Sequence, residues 1–190
     1  MKIIIPIAGE GLRFKKFGVY TPKPLIKVDG KSLIRYSIDS LDLKEHKHIL
    51  ICRDLKNGYL EDLKAELNKC KIEYEIILID KLTSGASETS LLGMSNVDEE
   101  EEIIITNCDQ YLNWDSKEFL KKSRGYDSSV LTYKSTDPKN SFAQLIDKKI
   151  VKIVEKEVIS NNALVGVHYW KKASYFIDSA NQLIREINDK

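Results

Sequence analysis

The sequence predicts an α/β fold, a mixed but mostly parallel sheet covered by helices on both faces. Three observations predict it. Short apolar runs alternate with amphipathic stretches of helical period through the first two thirds of the 190 residues. Those runs are nearly continuous in apolar residues, as strands buried between two helical layers are. The first of them, Ile3-Ile4-Ile5-Pro6-Ile7, then empties into a glycine turn that carries a cation, Gly9-Glu10-Gly11-Leu12-Arg13. In open sheets of this class, ligands collect outside the carboxyl ends of the strands.

Taken in order, Lys2–Ala8 reads as a buried strand and Ser32–Leu41 as an amphipathic helix. His48–Cys52 is a second strand, followed by a helix over Tyr59–Lys69 with Leu60, Leu63 and Leu67 on one face. Glu75–Ile79 is a third strand, Ser87–Met94 a helix and Glu102–Thr106 a fourth strand. After that the rhythm changes. Ser116–Lys122 reads as a short helix and Ser128–Lys134 as a strand. Ser141–Ile146 and Ile150–Glu155 form a hairpin whose turn, near Asp147-Lys148-Lys149, lacks the usual glycine. Ala163–Trp170 is a last strand. Lys171–Ile187 is a closing helix with Phe176, Ile177, Ala180, Leu183 and Ile184 as its apolar stripe. No repeat or linker divides the chain, so residues 1–190 are expected to form one domain.

Composition narrows the function. With 42% hydrophobic and 31% charged residues the chain is ordinary globular material, which excludes wholesale disorder. A net charge of +1 argues against a nucleic-acid footprint. No run approaches the roughly 18 apolar residues of a membrane span, and the N-terminal run is too short and wrongly flanked for a secretory signal. The expected compartment is the cytoplasm. Cys52, Cys70 and Cys108 are odd in number and lack CxxC spacing, so they read as reduced, mostly buried thiols. His46 and His48 form an HxH without a third His or nearby Cys, which reads as a solvated loop entering a strand. The acidic run Asp98–Glu102 reads in the same way, as a solvated loop before a strand.

The glycine loop matches neither common nucleotide motif. A dinucleotide fold wants GxGxxG opening into a helix, and here no third glycine follows Gly9 and Gly11. A phosphate loop of the GxxxxGK[ST] type would need glycine at position 25 ahead of Gly30-Lys31-Ser32, and that position is Leu25. Gly30-Lys31 is therefore a plain turn before the helix at Ser32. Glycine admits close backbone approach, Arg13 supplies charge, and a second cation, Lys23, sits between prolines in Thr21-Pro22-Lys23-Pro24-Leu25. That set fits a triphosphate whose β and γ groups leave as pyrophosphate; taken alone, the glycine turn also reads as a tight strand exit with an incidental Arg. Thr106-Asn107-Cys108-Asp109-Gln110 closes the fourth strand, and an aspartate there can hold Mg²⁺ together with phosphate oxygens.

These segments carry a specific resemblance. GEGLRF and TPKPL within Pro6–Leu25 look like the signature of the sugar-phosphate nucleotidyltransferases, or nucleotide-sugar pyrophosphorylases. Three further segments resemble that family in order: Thr83–Thr89 its base- and ribose-side loop, Asn107–Asp115 its metal-aspartate segment, and Val154–Lys156 with Ser160–Trp170 its acceptor-side segment. The nearest branch is that of bacterial capsule and surface-polysaccharide synthesis. The resemblance implies a Rossmann-like fold of the nucleotide-diphospho-sugar transferase type, with an NTP and a phosphorylated small molecule as partners and Mg²⁺ as cofactor.

Residue by residue, it implies that backbone at Ala8 and Gly9 faces the base, and that Gly11 and Arg13 face the triphosphate. Lys23 would bridge the phosphates, Ser84 and Gly85 would line base and ribose, and Asp109 would bind the metal. Glu155 would contact polar groups of the acceptor and Lys156 its phosphate, with Asn161 and Gly166 shaping that pocket. Family members continue past the equivalent of Ile184–Ile187 and supply a second metal carboxylate there. This chain ends at Lys190, and neither Asp178 nor Asp189 fits that role. The expectation is a C-terminally short domain, either truncated, with part of the acceptor pocket and a homodimer surface removed, or working with a reduced metal site. Leu12 stands where relatives often place Ser or Thr, which removes a phosphate-side hydroxyl. A nucleotide-binding module without turnover is the alternative, and a non-sugar phosphate activated with CTP is the alternative acceptor.

Overall fold

A computed structural model describes residues 1–188; Asp189 and Lys190 lie outside the described residues. The elements run β1 (Lys2–Pro6), α1 (Leu12–Lys15), a 3-10 turn at Lys23–Leu25, β2 (Lys27–Val28), β3 (Lys31–Ser32) and α2 (Leu33–Leu41). There follow β4 (Lys47–Arg53), α3 (Tyr59–Cys70), β5 (Tyr74–Ile79), α4 (Ala86–Leu92), a 3-10 turn at Met94–Asn96 and β6 (Ile103–Thr106). The chain closes with α5 (Ser116–Ser123), β7 (Ser128–Lys134), β8 (Ser141–Ile146), β9 (Lys149–Glu155), β10 (Asn162–Trp170) and α6 (Ala173–Asn188).

The main sheet has the order β5-β4-β1-β6-β10-β8-β9, with β7 also paired to β10. β5, β4, β1 and β6 are parallel to one another. From β10 onward the pairing is antiparallel. This is the mixed, mostly parallel sheet that the alternating apolar runs predict, and parallel pairing follows from helical crossovers joining consecutive strands.

Alternation within β1 splits the core in two. Ile3, Ile5 and Ile7 pack with Ile34, Ile38, Leu63, Leu67 and Leu120, under α2, α3 and α5. Ile4 and Ala8 pack with Met94, Phe176 and Ala180, under α4 and α6. Ile3, Ile4 and Ile5 are fully buried, and each such side chain contributes about 2 kcal/mol by leaving water.

Several elements differ from the sequence reading, each for a physical reason. Asp29 and Gly30, with φ of 49° and 77°, turn a two-residue hairpin between β2 and β3 that the short apolar content there hides. The β8–β9 turn is of the same left-handed kind, built from Asp147 and Lys148 with φ of 49° and 65°. The stripe of α6 is narrower than predicted, since Leu183 is 44% exposed. On α3, Leu60 is only partly buried, while Glu66 takes a buried place, accepting hydrogen bonds from Ser32 and Lys69 at 2.6 and 2.7 Å.

Two loops read as solvated are so only in part: His46 is half-buried, and Asp98, Glu99 and Glu100 are exposed as read. His48 is fully buried within β4, and its Nδ1 lies 2.8 Å from the carbonyl of His46. It faces inward because β4 is sandwiched between β1 and β5 from its first residues. The last two residues of the acidic run are an anchor. Glu101 pairs with the N-terminal amine at 3.1 Å, and Glu102 accepts from Tyr169 at 2.7 Å and from Arg124 at 3.1 Å. The carbonyls of Glu99 and Glu101 receive the amides of Ser174 and Ala173 at the start of α6. The three cysteines are buried and unpaired, as expected.

Candidate active site

Strand order reverses beside β1: the chain builds β1, β4 and β5 in one direction and then returns to place β6 on the other flank. A crevice opens at such a switch point, outside the carboxyl ends of the strands. Here it is a cleft of about 570 Å³ walled by Gly9, Gly11, Arg13, Lys23, Asn107 and Asp109 among others. Five residues selected from sequence (Gly9, Gly11, Arg13, Lys23 and Asp109) therefore meet in one place.

Each is held by local structure. Gly11 takes φ 63°, ψ 31°, a conformation that a side chain makes costly, and its carbonyl accepts the amide of Phe14 at 2.9 Å to start α1. Arg13 follows in α1, exposed and without an ion-pair partner among the described residues. Pro22 precedes the 3-10 turn and Pro24 is buried within it, so the backbone carrying Lys23 is fixed at both neighbours. The Lys23 Nζ reaches Asp109 Oδ2 at 2.5 Å, both side chains about one-third exposed. The loop after β6 is pinned in turn: Ser37 donates to the Asn107 carbonyl at 2.7 Å, and Gln110 Nε2 donates to Thr106 Oγ1 at 2.6 Å. Burial, with the charge of Asp109, pushes the Cys108 thiol up to about 12, so it stays protonated and is no nucleophile.

The donor set fits a magnesium ion that arrives with its phosphates. Asp109 offers one carboxylate, and Mg²⁺ typically takes one or two carboxylates with phosphate oxygens and waters completing its shell. No group of three or more His, Cys, Asp or Glu suited to a metal occurs among the described residues, so a cage built wholly from protein is not what this cleft offers.

Ala8 is buried two residues beyond β1, and its carbonyl accepts from Arg53 Nε at 2.9 Å. Ser84 and Gly85 lie outside the cleft wall, which Leu82 reaches instead. Ser84 is bound to Glu88, its amide and hydroxyl donating to Oε2 at 2.7 and 2.9 Å, and these bonds hold Glu88 below the usual carboxylate range. Gly85 immediately precedes α4.

The acceptor-side residues are dispersed. Glu155 and Lys156 pair with each other at 2.6 Å, 70% and 57% exposed, and neither lines the cleft. Asn161 Oδ1 accepts from Lys134 at 3.0 Å. Gly166 alone turns inward, with φ 93°; a Cβ there would stand 2.1 Å from Asn107 Nδ2. It walls a second, smaller cavity that shares Pro6 and Asn107 with the first.

Two contributors escaped the sequence reading. Arg53 closes β4 at the carboxyl side, clamps Ala8 and approaches Glu10 at 3.8 Å. A cation at the end of the strand neighbouring β1 was its available signal. Asn107 links both cavities, and its signal was its place ahead of Asp109 at the end of β6.

Known proteins share this architecture. The chain is 25% identical over 173 residues to the bifunctional protein GlmU of Methanocaldococcus jannaschii, covering 90% of this chain and 40% of that one, so it spans well under half of that relative. It superposes on the nucleoside-diphosphate-sugar pyrophosphorylase of Vibrio cholerae RC9 with a TM-score of 0.82, at 21% identity, covering 96% of this chain and 78% of the other. The inositol-1-phosphate CTP transferase of T. maritima gives a TM-score of 0.73 at 19% identity, covering 92% and 71%. Residues 2–187 match the model of the Nucleotidyl transferase family, and with a cleft of this geometry at its switch point the chain belongs to that family.

Proposed function

We propose that this protein transfers a nucleotidyl group from an NTP to the phosphate of a small acceptor, releasing pyrophosphate. The observation that carries the reading is the meeting of Arg13, Lys23 and Asp109 in one cleft at the β1/β6 crevice. An acceptor phosphate oxygen attacks the α-phosphorus, the new P–O bond forms, and the bond to the β-phosphate oxygen breaks. Such transfers need positioning and charge stabilisation more than covalent help.

Lys23 and Asp109 form an ion pair within the cleft. Asp109 would hold a magnesium ion brought by a triphosphate, and Lys23 would then turn its charge to the phosphates. Arg13, unpaired beforehand, meets the charge that gathers on departing pyrophosphate. Bound there, Mg²⁺ supplies neutralisation of the phosphate charge. Gly9 and Gly11 let the loop backbone come close to the nucleotide, with Ala8 held by Arg53 beneath it, and Ser84 and Gly85 flank base and ribose. Glu155, Lys156, Asn161 and Gly166 serve the acceptor.

The acceptor class proposed is a sugar 1-phosphate or similar phosphorylated small molecule, and the setting is capsule or surface-polysaccharide synthesis in the cytoplasm, by a homodimer. The pyrophosphorylase and CTP-transferase names among the similar structures support the reaction type. No described helix is long and apolar enough to cross a membrane. A pyrophosphate-release assay across CTP, UTP, dTTP and GTP with a panel of phosphorylated acceptors tests the reading. Release above background with one pair supports it, and silence from every pair with folded protein and Mg²⁺ refutes it.

A further inference from the structure

One carboxylate stands inside the proposed phosphate cradle. Glu10 lies between Gly9 and Gly11 and walls the cleft together with Arg13, Lys23 and Asp109. Glycines let phosphate come close, and a glutamate in the same loop repels it. Glu10 is also three residues from Arg13, the nearest cation in the sequence and a natural partner for it. Yet Arg13 makes no ion pair among the described residues.

Arg53 answers both conflicts. The register of β1 with β4 ends at the Pro6–Ile51 pair, and one further backbone bond joins the Ile7 amide to the Ile51 carbonyl at 2.8 Å. The next tie is a side chain: Arg53, the last residue of β4, donates from Nε to the Ala8 carbonyl at 2.9 Å. Its Nη2 lies 3.8 Å from Glu10 Oε1, with both side chains about one-third exposed. A guanidinium carries its donors in a planar fork, so one side chain can hold a carbonyl and face a carboxylate together; an ammonium is a single point charge. Arg53 itself does not line the cleft.

We infer that Arg53 is a positioning residue for the nucleotide: it fixes the backbone at Ala8 and draws the Glu10 carboxylate off the phosphates and away from Arg13. This rests on the proposed nucleotidyl transfer and adds to it a residue that acts only through others. Without Arg53, the charge of Glu10 is released into the cleft, so neutralising Glu10 as well should restore part of the lost binding.

Calorimetry with inorganic tripolyphosphate and with a non-hydrolysable NTP analogue, each with Mg²⁺, tests this on the wild type, Arg53→Met, Arg53→Lys, Glu10→Gln and the double variant of Arg53→Met with Glu10→Gln. Arg53→Met should weaken both ligands about 10-fold, the scale of one hydrogen bond to a charged group, and Arg53→Lys should weaken them less. Glu10→Gln should bind at least as tightly as the wild type. The double variant should regain about 3-fold, the scale of one partly exposed charge pair, while melting with Arg53→Met. In turnover, NTP KM should follow these affinities with acceptor KM constant. A double variant that binds no better than Arg53→Met overturns the inference. So does a loss in Glu10→Gln as large as that in Arg53→Met, which would make Glu10 a ligand-binding group. If the wild type binds neither ligand, the transfer reading fails instead. Hydrogen exchange at the amides of Gly9, Glu10 and Gly11 then decides the anchoring alone: faster exchange in Arg53→Met is expected, and unchanged exchange overturns it.

Discussion

The two groups of residues proposed for the reaction are held differently. The residues proposed for the nucleotide follow β1 and β6, strands with both faces buried, and the charged ones extend from fixed backbone: Lys23 between prolines, Asp109 on a loop bonded to α2. The residues proposed for the acceptor stand on or beside β9 and β10, where pairing is antiparallel and β9 is a mostly exposed edge. There Glu155 and Lys156 face water and each other. One group is anchored against the core; the other stands exposed at the edge of the sheet.

That contrast can be broken most sharply at the charges. Arg13→Ala, Lys23→Ala and Asp109→Ala should each reduce pyrophosphate release by about 100-fold or more, the scale of losing one preorganised charge-stabilising group. Thermal melts should barely move, because these side chains are exposed or paired near the surface. If the variants unfold, the residues are structural.

Gly166→Ala comes next. Its φ of 93° and the 2.1 Å approach to the Asn107 amide require either backbone strain or displacement of Asn107. A cost of about 1–3 kcal/mol is expected, read as a lowered midpoint in urea, together with a raised acceptor KM.

His48 sharpens the contrast from beneath the sheet. Burial lowers its pKa to about 4 in the folded protein, while the unfolded chain binds a proton near its ordinary pKa of about 6.5. The folded pKa is depressed, so this stability is present above about pH 6.5 and lost as pH falls toward 4, by about 3 kcal/mol in all. Urea midpoints of wild type should therefore fall more steeply between pH 7 and 5 than those of His48→Gln. Parallel slopes would show that the imidazole titrates as though exposed.

The smallest effects belong to the edge hairpin and its end. Lys148→Gly relieves a left-handed backbone and should stabilise by about 1 kcal/mol, seen as a slightly raised melting temperature. Glu155→Gln should change stability by less than about 1 kcal/mol, as for an exposed ion pair.

Much of this was legible in the sequence where local rules act. Apolar runs and helical stripes placed the parallel strands and main helices, because burial on both faces leaves a one-dimensional signature. The cleft's glycines and Arg13 were legible for the same reason: they follow a strand end. What escaped was set by distance along the chain. Nothing local says that Arg53 reaches back to Ala8, or that Glu102 gathers Tyr169 and Arg124. The HxH looked solvated because its polar residues hide that β4 is flanked on both sides from His48 onward. Asp115 sits in the metal-aspartate segment by resemblance, yet its carboxylate caps α5 by accepting the Glu118 amide at 2.8 Å.

The central claim is that Lys23 and Asp109 exchange each other for a magnesium triphosphate. Calorimetric titration of wild type, Lys23→Ala and Asp109→Ala with a non-hydrolysable NTP analogue, with and without Mg²⁺, tests it most directly. The account predicts Mg²⁺-dependent binding to wild type, weaker binding by Lys23→Ala, and loss of the Mg²⁺ dependence in Asp109→Ala. Equal affinities in all three proteins, with the same response to Mg²⁺, would contradict it.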